Sequence, residues 1–286
     1  MNRALAALVA AALAQIPGLP TEISSIRHNS GESVTPYFEG WIRNTDGTVD
    51  MLFGYFNRNY VQEFPIPAGP NNFVEAPSAS AGQAPSIDRG QPTYFVPRRQ
   101  RYVYRVRVPA DFGKREVVWS ITANGHTERA YGSLIPAEEI TERVVTTSGN
   151  YDPGLNDPNK PPSISIAPVT SATAGKPVTL TALVTDDGLP KPRRPPAPVD
   201  PKAATAGFGG QINAADNRPQ GLTVTWLQYS GPAKVTFSHT GTLRVENGQA
   251  VTTATFAAPG VYKLIAAAAD AGRLSTKTEV VLSVRP

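Results

Sequence analysis

Residues 252–270, TTATFAAPGVYKLIAAAAD, decide the fold. Ala254, Phe256 and Ala258 alternate with Thr253, Thr255 and Ala257, the period of two that sets one strand face against a core. Ala258-Pro259-Gly260 breaks the run, because proline fixes φ and lacks an N–H while glycine accepts positive φ. Val261-Tyr262-Lys263-Leu264-Ile265 resumes an extended pattern, and small apolar residues carry it to Asp270. Strand, tight turn, strand is an architecture. It names no activity.

Composition agrees with that start. The chain has 286 residues, 40% of them hydrophobic, with Pro 28 and Gly 24. That length suits two domains better than one. Abundant Val, Thr, Pro and Gly favour short strands joined by turns. The absence of cysteine excludes disulfides, thiolate zinc sites and cysteine nucleophiles. The formal charge of +4 comes from scattered Arg and Lys and reads as a solvated surface.

Residues 1–14 have the layout of a short secretory signal peptide. Met1-Asn2-Arg3 carries one positive charge, residues 4–13 are an apolar run, and Ala12-Leu13-Ala14 fits a small-x-small cleavage site. The run is shorter than the about 20 residues a membrane helix needs, and no longer apolar run follows. The expectation is an exported protein, periplasmic or extracellular, without membrane insertion.

Residues 15–33 read as a linker or edge strand. Residues 34–145 read as a first β-sandwich of roughly seven strands by the spacing of strand and turn signals. Residues 37–42 run into Asn44-Thr45-Asp46-Gly47, a hairpin signal, and residues 49–56 return. Residues 64–90 form a proline-rich excursion with one short strand at 72–75. Two further strands flank a turn at Pro97-Arg98-Arg99-Gln100. In the second, Tyr102, Tyr104, Val106 and Val108 share one face, and Arg101, Val103, Arg105 and Arg107 the other. The arginine face reads as solvated or paired with carboxylates. With Arg98 and Arg99 it is also a candidate anion patch. Tyrosines on the opposite face argue against single-stranded nucleic acid, which needs aromatics among the basic groups. Asn124-Gly125 signals another hairpin, and residues 135–142 a short helical turn. Residues 146–162, rich in Pro, Asn and Gly, read as a semi-rigid linker.

The second domain is expected over 163–286, with 189–221 as a loop insertion. An apolar strand ends in Asp186-Asp187-Gly188. Then come Trp226, Tyr229-Ser230-Gly231-Pro232, a phenylalanine strand, Ala258-Pro259-Gly260-Val261-Tyr262, Asp270 and a last alternating strand. This succession resembles a PKD-type immunoglobulin-like domain of the REJ-associated variety found in bacterial surface and secreted proteins. It covers under half the chain and is specific for fold, weak for function. The 189–221 insertion departs from it. In such a sandwich Trp226 fills the space between the sheets and Leu180 or Ala182 faces Leu264. Tyr262, two residues before Leu264, has the spacing of a tyrosine corner.

The same topology brings the ends of the second and sixth strands to one pole. Asp186 and Asp187 end one, Asp270 ends the other, and the linker residue Asp157 lies nearby. Four carboxylates at an interdomain joint are a candidate calcium site, since Ca²⁺ takes oxygen ligands. The plainer reading is turn chemistry at Asp186-Asp187-Gly188 and strand capping at Asp270. No other cofactor is implied. The three histidines, His28, His126 and His239, stand without a nucleophile and carboxylate at triad spacing. Tyr37, Trp41 and Tyr55 read as core, with sugar stacking as the alternative. The expectation is therefore an all-β chain of two tandem immunoglobulin-like sandwiches. Its function is read as non-catalytic, an adhesion or spacer protein with a protein or glycan partner and no nucleic acid. An accessory carbohydrate-binding protein is the runner-up, and a secreted hydrolase follows it.

Overall fold

Asp46-Gly47 turns the chain as its sequence requires. Gly47 takes a φ of 84°, and Thr48 donates its N–H to Asp46 Oδ1 at 2.9 Å. Strand β1 (Val34–Arg43) and strand β2 (Val49–Asn57) pair antiparallel through this hairpin. The computed structural model describes residues 27–76, 88–149, 157–169, 171–191 and 221–286. The signal-peptide reading of 1–14 falls outside the described residues. So do parts of 15–33, of the 146–162 linker and of the 189–221 insertion.

The chain is all-β, two sandwiches in tandem. The first contains β3 (Phe64–Pro65), β4 (Asn72–Glu75), β5 (Tyr94–Phe95), β6 (Arg98–Val108), β7 (Val117–Ala123) and β8 (His126–Gly132) besides the opening hairpin. Strand β3 pairs with β5 in a two-stranded sheet, and the two larger sheets have the orders β1-β2-β6 and β4-β7-β8. Between them lie Trp41, Phe53, Tyr55, Phe95, Tyr104 and Trp119, all buried. Each such side chain contributes about 1.5–3 kcal/mol on leaving water. Asn72 ties the proline-rich excursion to this core. Its amide donates to the carbonyls of Ile66 and Pro92, and its Oδ1 accepts the Trp119 indole N–H at 3.0 Å.

Two expectations for β6 need correction. The strand already begins at Arg98, inside the anticipated turn. Tyr102 also leaves the face of Tyr104: it packs with Ile42 and Leu52 on the outer side of the sheet, while Val103 packs on the inner core. The cause is a bulge, because the pairing steps from Phe53↔Tyr104 to Tyr55↔Gln100. Tyr102 there takes a φ of 50°. Gly54 lies opposite, where a Cβ would collide with the Gln100 carbonyl and the Glu39 carboxylate. Residues 101–103 there oppose the single Gly54, and such an irregularity breaks the period of two and sends a side chain to the other face. Ile140, Val144 and Val145 cover that outer cluster. They come from the segment holding a 3-10 turn (Pro136–Glu138) and helix α1 (Glu142–Thr146).

The second sandwich has β9 (Ser163–Ile166), β10 (Ala172–Thr173), β11 (Pro177–Thr185), β12 (Thr223–Ser230), β13 (Val235–Phe237), β14 (Thr242–Arg244), β15 (Gln249–Phe256), β16 (Gly260–Ala269) and β17 (Ser275–Arg285). Its sheets have the orders β10-β17-β16-β12-β14 and β13-β15-β11-β9. Leu180, Ala254, Phe256, Tyr262 and Leu264 are fully buried between them. The Tyr262 hydroxyl donates to the Ala258 carbonyl at 2.7 Å, which is a tyrosine corner. Trp226 is half-buried rather than enclosed. It bridges two core clusters and stacks on Phe237 at 6.4 Å.

Candidate functional site: a polar joint and an acidic pole

The two sandwiches meet along a joint built from β5, the β6 bulge and α1 on one side and β12 and β17 on the other. Thr93 donates its backbone N–H to the Tyr229 carbonyl at 3.0 Å. The Tyr229 hydroxyl donates to the Gly90 carbonyl at 2.5 Å. Lys234 pairs with Glu63 at 2.9 Å, and Glu63 also accepts the Tyr94 hydroxyl. At the far end Ser275 Oγ donates to the Thr146 carbonyl at 2.9 Å.

Lys277 fills the middle. The bulge turns two carbonyls outward, and the ammonium donates to Arg101 O at 2.7 Å and Tyr102 O at 3.2 Å. Burial pulls the Lys277 pKa down to about 8, and the Glu39 carboxylate opposes that shift. Sequence alone offered no route to Lys277, since its partners are carbonyls exposed only by the bulge. Gly54, the residue that tolerates the bulge, was the available signal.

A cleft of ≈ 630 Å³ opens beside this joint. Four of the charged side chains that line it form two pairs, while Arg89 and Lys277 donate to backbone carbonyls. Arg105 makes a bidentate pair with Glu142 at 2.6 and 2.8 Å, and Lys263 pairs with Glu279 at 3.1 Å. Nearby Arg107 grips Asp50 at 2.7 and 3.1 Å, which lowers the Asp50 pKa. Arg99 holds Glu39 at 2.8 Å, and Arg101 donates to Ser148 O. Most of the arginine face is thus paired, as one of its readings anticipated.

The four aspartates at the pole of the second sandwich have different surroundings. Asp157 accepts the Asn159 N–H at 3.1 Å and lies 3.7 Å from Arg143. Asp187 accepts the N–H groups of Lys160 and Leu189, both at 2.9 Å. Those two carboxylates are occupied by the backbone of the pole. Asp186 Oδ2 accepts the Gly188 N–H at 3.0 Å, the turn bond its sequence implied. Asp270 is buried, 6% exposed; its Oδ1 accepts the Leu274 N–H at 2.8 Å and its Oδ2 the Asn159 amide at 2.8 Å. Burial raises the Asp270 pKa, hydrogen bonds from Asn159 and Leu274 oppose this, and the Asp186 charge raises it further.

Asn159 was not singled out in the sequence. It is 5% exposed, and its Oδ1 has no hydrogen-bond partner. The buried Asp186 Oδ1 has none either. Among the described residues, no three carboxylate, imidazole or thiol side chains converge to hold a metal. Asp270 links Asn159 and Asp186: its carboxylate accepts the Asn159 amide and feels the Asp186 charge.

The remaining candidates are scattered. His28 lies 3.7 Å from Glu32, His239 contacts the Thr242 carbonyl, and His126 is exposed in its hairpin. Trp41 and Tyr55 are core, 2% and 1% exposed, whereas Tyr37 is 39% exposed.

No protein-family model matches the chain, and no curated protein matches it. Among solved structures the chain is similar to a conjugative transposon lipoprotein from Bacteroides eggerthii, at 16% identity and a TM-score of 0.27, over 43% of this chain and 96% of that one. It is similar to the D00-D0 domain of intimin at 12% identity and a TM-score of 0.26, over 87% and 99%. It is also similar to the Yersinia pseudotuberculosis adhesin InvE at 11% identity and a TM-score of 0.25, over 88% and 59%.

Proposed function

We propose that this chain is a non-catalytic structural module of an exported protein, in which two sandwiches act as one stiff spacer. The carrying observation is the set of joint contacts from Thr93–Tyr229 at one end to Ser275–Thr146 at the other. The backbone bond and the carbonyl-bound lysine fix an orientation more tightly than rim charges, which are worth about 0–1 kcal/mol each. The second sandwich is taken as PKD-like on its motif residues, and export rests on residues 1–14.

The pole beside this joint is proposed as a calcium site, with Asp186, Asp270 and Asn159 as oxygen donors. Two carboxylates that repel each other and two buried oxygens without partners favour a hard cation. Asp157 and Asp187 then shape the pole and do not ligate. Calorimetric unfolding and calcium titration test both parts. One cooperative transition, raised by calcium in the parent and not in Asn159→Ala or Asp186→Ala, is the expected result. Two separable transitions contradict the stiff spacer. A melt that ignores both calcium and chelator removes the metal site alone.

A further inference from the structure

Five arginines of β6 lie on or near one sheet face, and one of them is unlike the rest. Arg99, Arg105 and Arg107 are held by carboxylates, and Arg101 by a carbonyl. Arg98 has no carboxylate within ion-pair distance among the described residues. Its backbone takes a φ of 70°, a region that non-glycine residues seldom occupy. Its guanidinium lies 4.0 Å from the Tyr60 ring centroid and 4.7 Å from that of Phe56. Arg27 approaches the same Tyr60 ring at 5.4 Å, and Arg99 lies over Tyr37 at 3.8 Å.

Two of the aromatic rings are open to solvent, and Phe56 is half-buried. Tyr37 is 39% and Tyr60 40% exposed, and the neighbouring Val61 is 65% exposed. Arg58 joins the strip through its carbonyl, which accepts from Arg98 Nη1 at 3.1 Å. Among the described residues, the carboxylates that pair with Arg58 and Arg99 in this strip are Glu32 and Glu39. Glu39 is enclosed with its side chain 8% exposed, and Glu32 makes a loose 3.7 Å pair with Arg58.

This geometry separates two ligand chemistries. A neutral sugar stacks on an aromatic face, and here guanidiniums already lie over the faces of Tyr37 and Tyr60. Stacking leaves the in-plane N–H groups as donors; Arg98 Nη1 already donates to the Arg58 carbonyl and Arg99 Nη2 to Glu39, and the N–H groups that remain suit a carboxylate or sulfate oxygen. We propose that the strip of Tyr37, Phe56, Tyr60, Arg27, Arg98 and Arg99 binds an acidic polysaccharide through its uronate carboxylates or sulfate esters. Charge complementarity selects that occupant: arginines outnumber carboxylates along this strip. The proposal is independent of the calcium site and of the stiffness of the joint.

Calorimetric titration of the full chain with polygalacturonate, heparin, neutral dextran and single-stranded DNA at one ionic strength tests it. Polygalacturonate separates the carboxylate source from the sulfate source in heparin. Binding to at least one acidic polysaccharide, weakening with added salt and absent for dextran, is expected. Arg98→Gln should weaken it about tenfold, the scale of one charge-assisted hydrogen bond. Glu32→Gln removes a competing carboxylate and should tighten it, a gain that misfolding cannot mimic. Failure to bind either acidic polysaccharide at low salt overturns the proposal. So does affinity unchanged in both variants, or DNA binding as tight as that of the polysaccharide.

Discussion

The Lys277 ammonium lies 2.7 Å from the Arg101 carbonyl, and the two residues belong to different sandwiches. A lysine that docks on backbone carbonyls across a joint couples the orientation of the two sandwiches to its own protonation.

That coupling fixes a sign. The folded pKa is about 8 and the ordinary value 10.5. Below pH 8 the lysine is charged in both states and its burial cost is present in full. Between 8 and 10.5 the unfolded chain binds the proton that the folded chain lacks, so stability from this group rises with pH. The groups facing it are Glu39, Arg105 and the Arg101-Tyr102 carbonyls. Denaturant unfolding of the parent relative to Lys277→Met should show the difference growing in favour of the parent from pH 8 to 10.5.

Tyr262→Phe removes the hydroxyl that donates to the Ala258 carbonyl and leaves the ring in place. The expected loss is about 1–2 kcal/mol, the cost of one buried hydrogen bond with its acceptor left behind. Urea unfolding with an unchanged slope checks it.

Gly231→Ala should cost more, about 3 kcal/mol, since overpacking and left-handed strain add. Gly231 has a φ of 147°, and a Cβ there would collide with the Tyr262 ring. The double variant Gly231→Ala/Tyr262→Leu should recover part of that loss. Additive losses in a double-mutant cycle would contradict the packing account.

At the acidic pole, the raised Asp270 pKa means the folded state holds that proton more tightly than the unfolded chain. Stability from this group therefore rises as pH falls through the folded value, and the gain is complete below the ordinary 3.8. In chelator, the parent compared with Asp270→Ala should show this gain on acidification. Saturating calcium should erase it, because the cation replaces the proton.

The strand plan was legible because it rests on local chemistry. Asp46-Gly47, Asn124-Gly125 and Ala258-Pro259-Gly260 set the turns, and alternation at Ala254 and Phe256 set the inward face. The Tyr262 corner followed from its spacing to Leu264. The joint was not legible. Lys277 and Tyr229 work through carbonyls, which carry no side-chain signature, and the bulge that turns Tyr102 outward breaks the period used to assign faces. Asp186 and Asp270 stand out in the sequence as carboxylates at strand ends, whereas Asn159 enters the proposed calcium site only through its burial.

The stiffness of the joint is tested most directly by a distance between the sandwiches. The chain has no cysteine, so spin labels can be placed at His126→Cys and Thr242→Cys, both exposed positions. A single narrow distance distribution is expected, broadening when Tyr229→Phe and Lys277→Met are combined. A broad distribution in the labelled parent, unchanged by those substitutions, would contradict the stiff spacer.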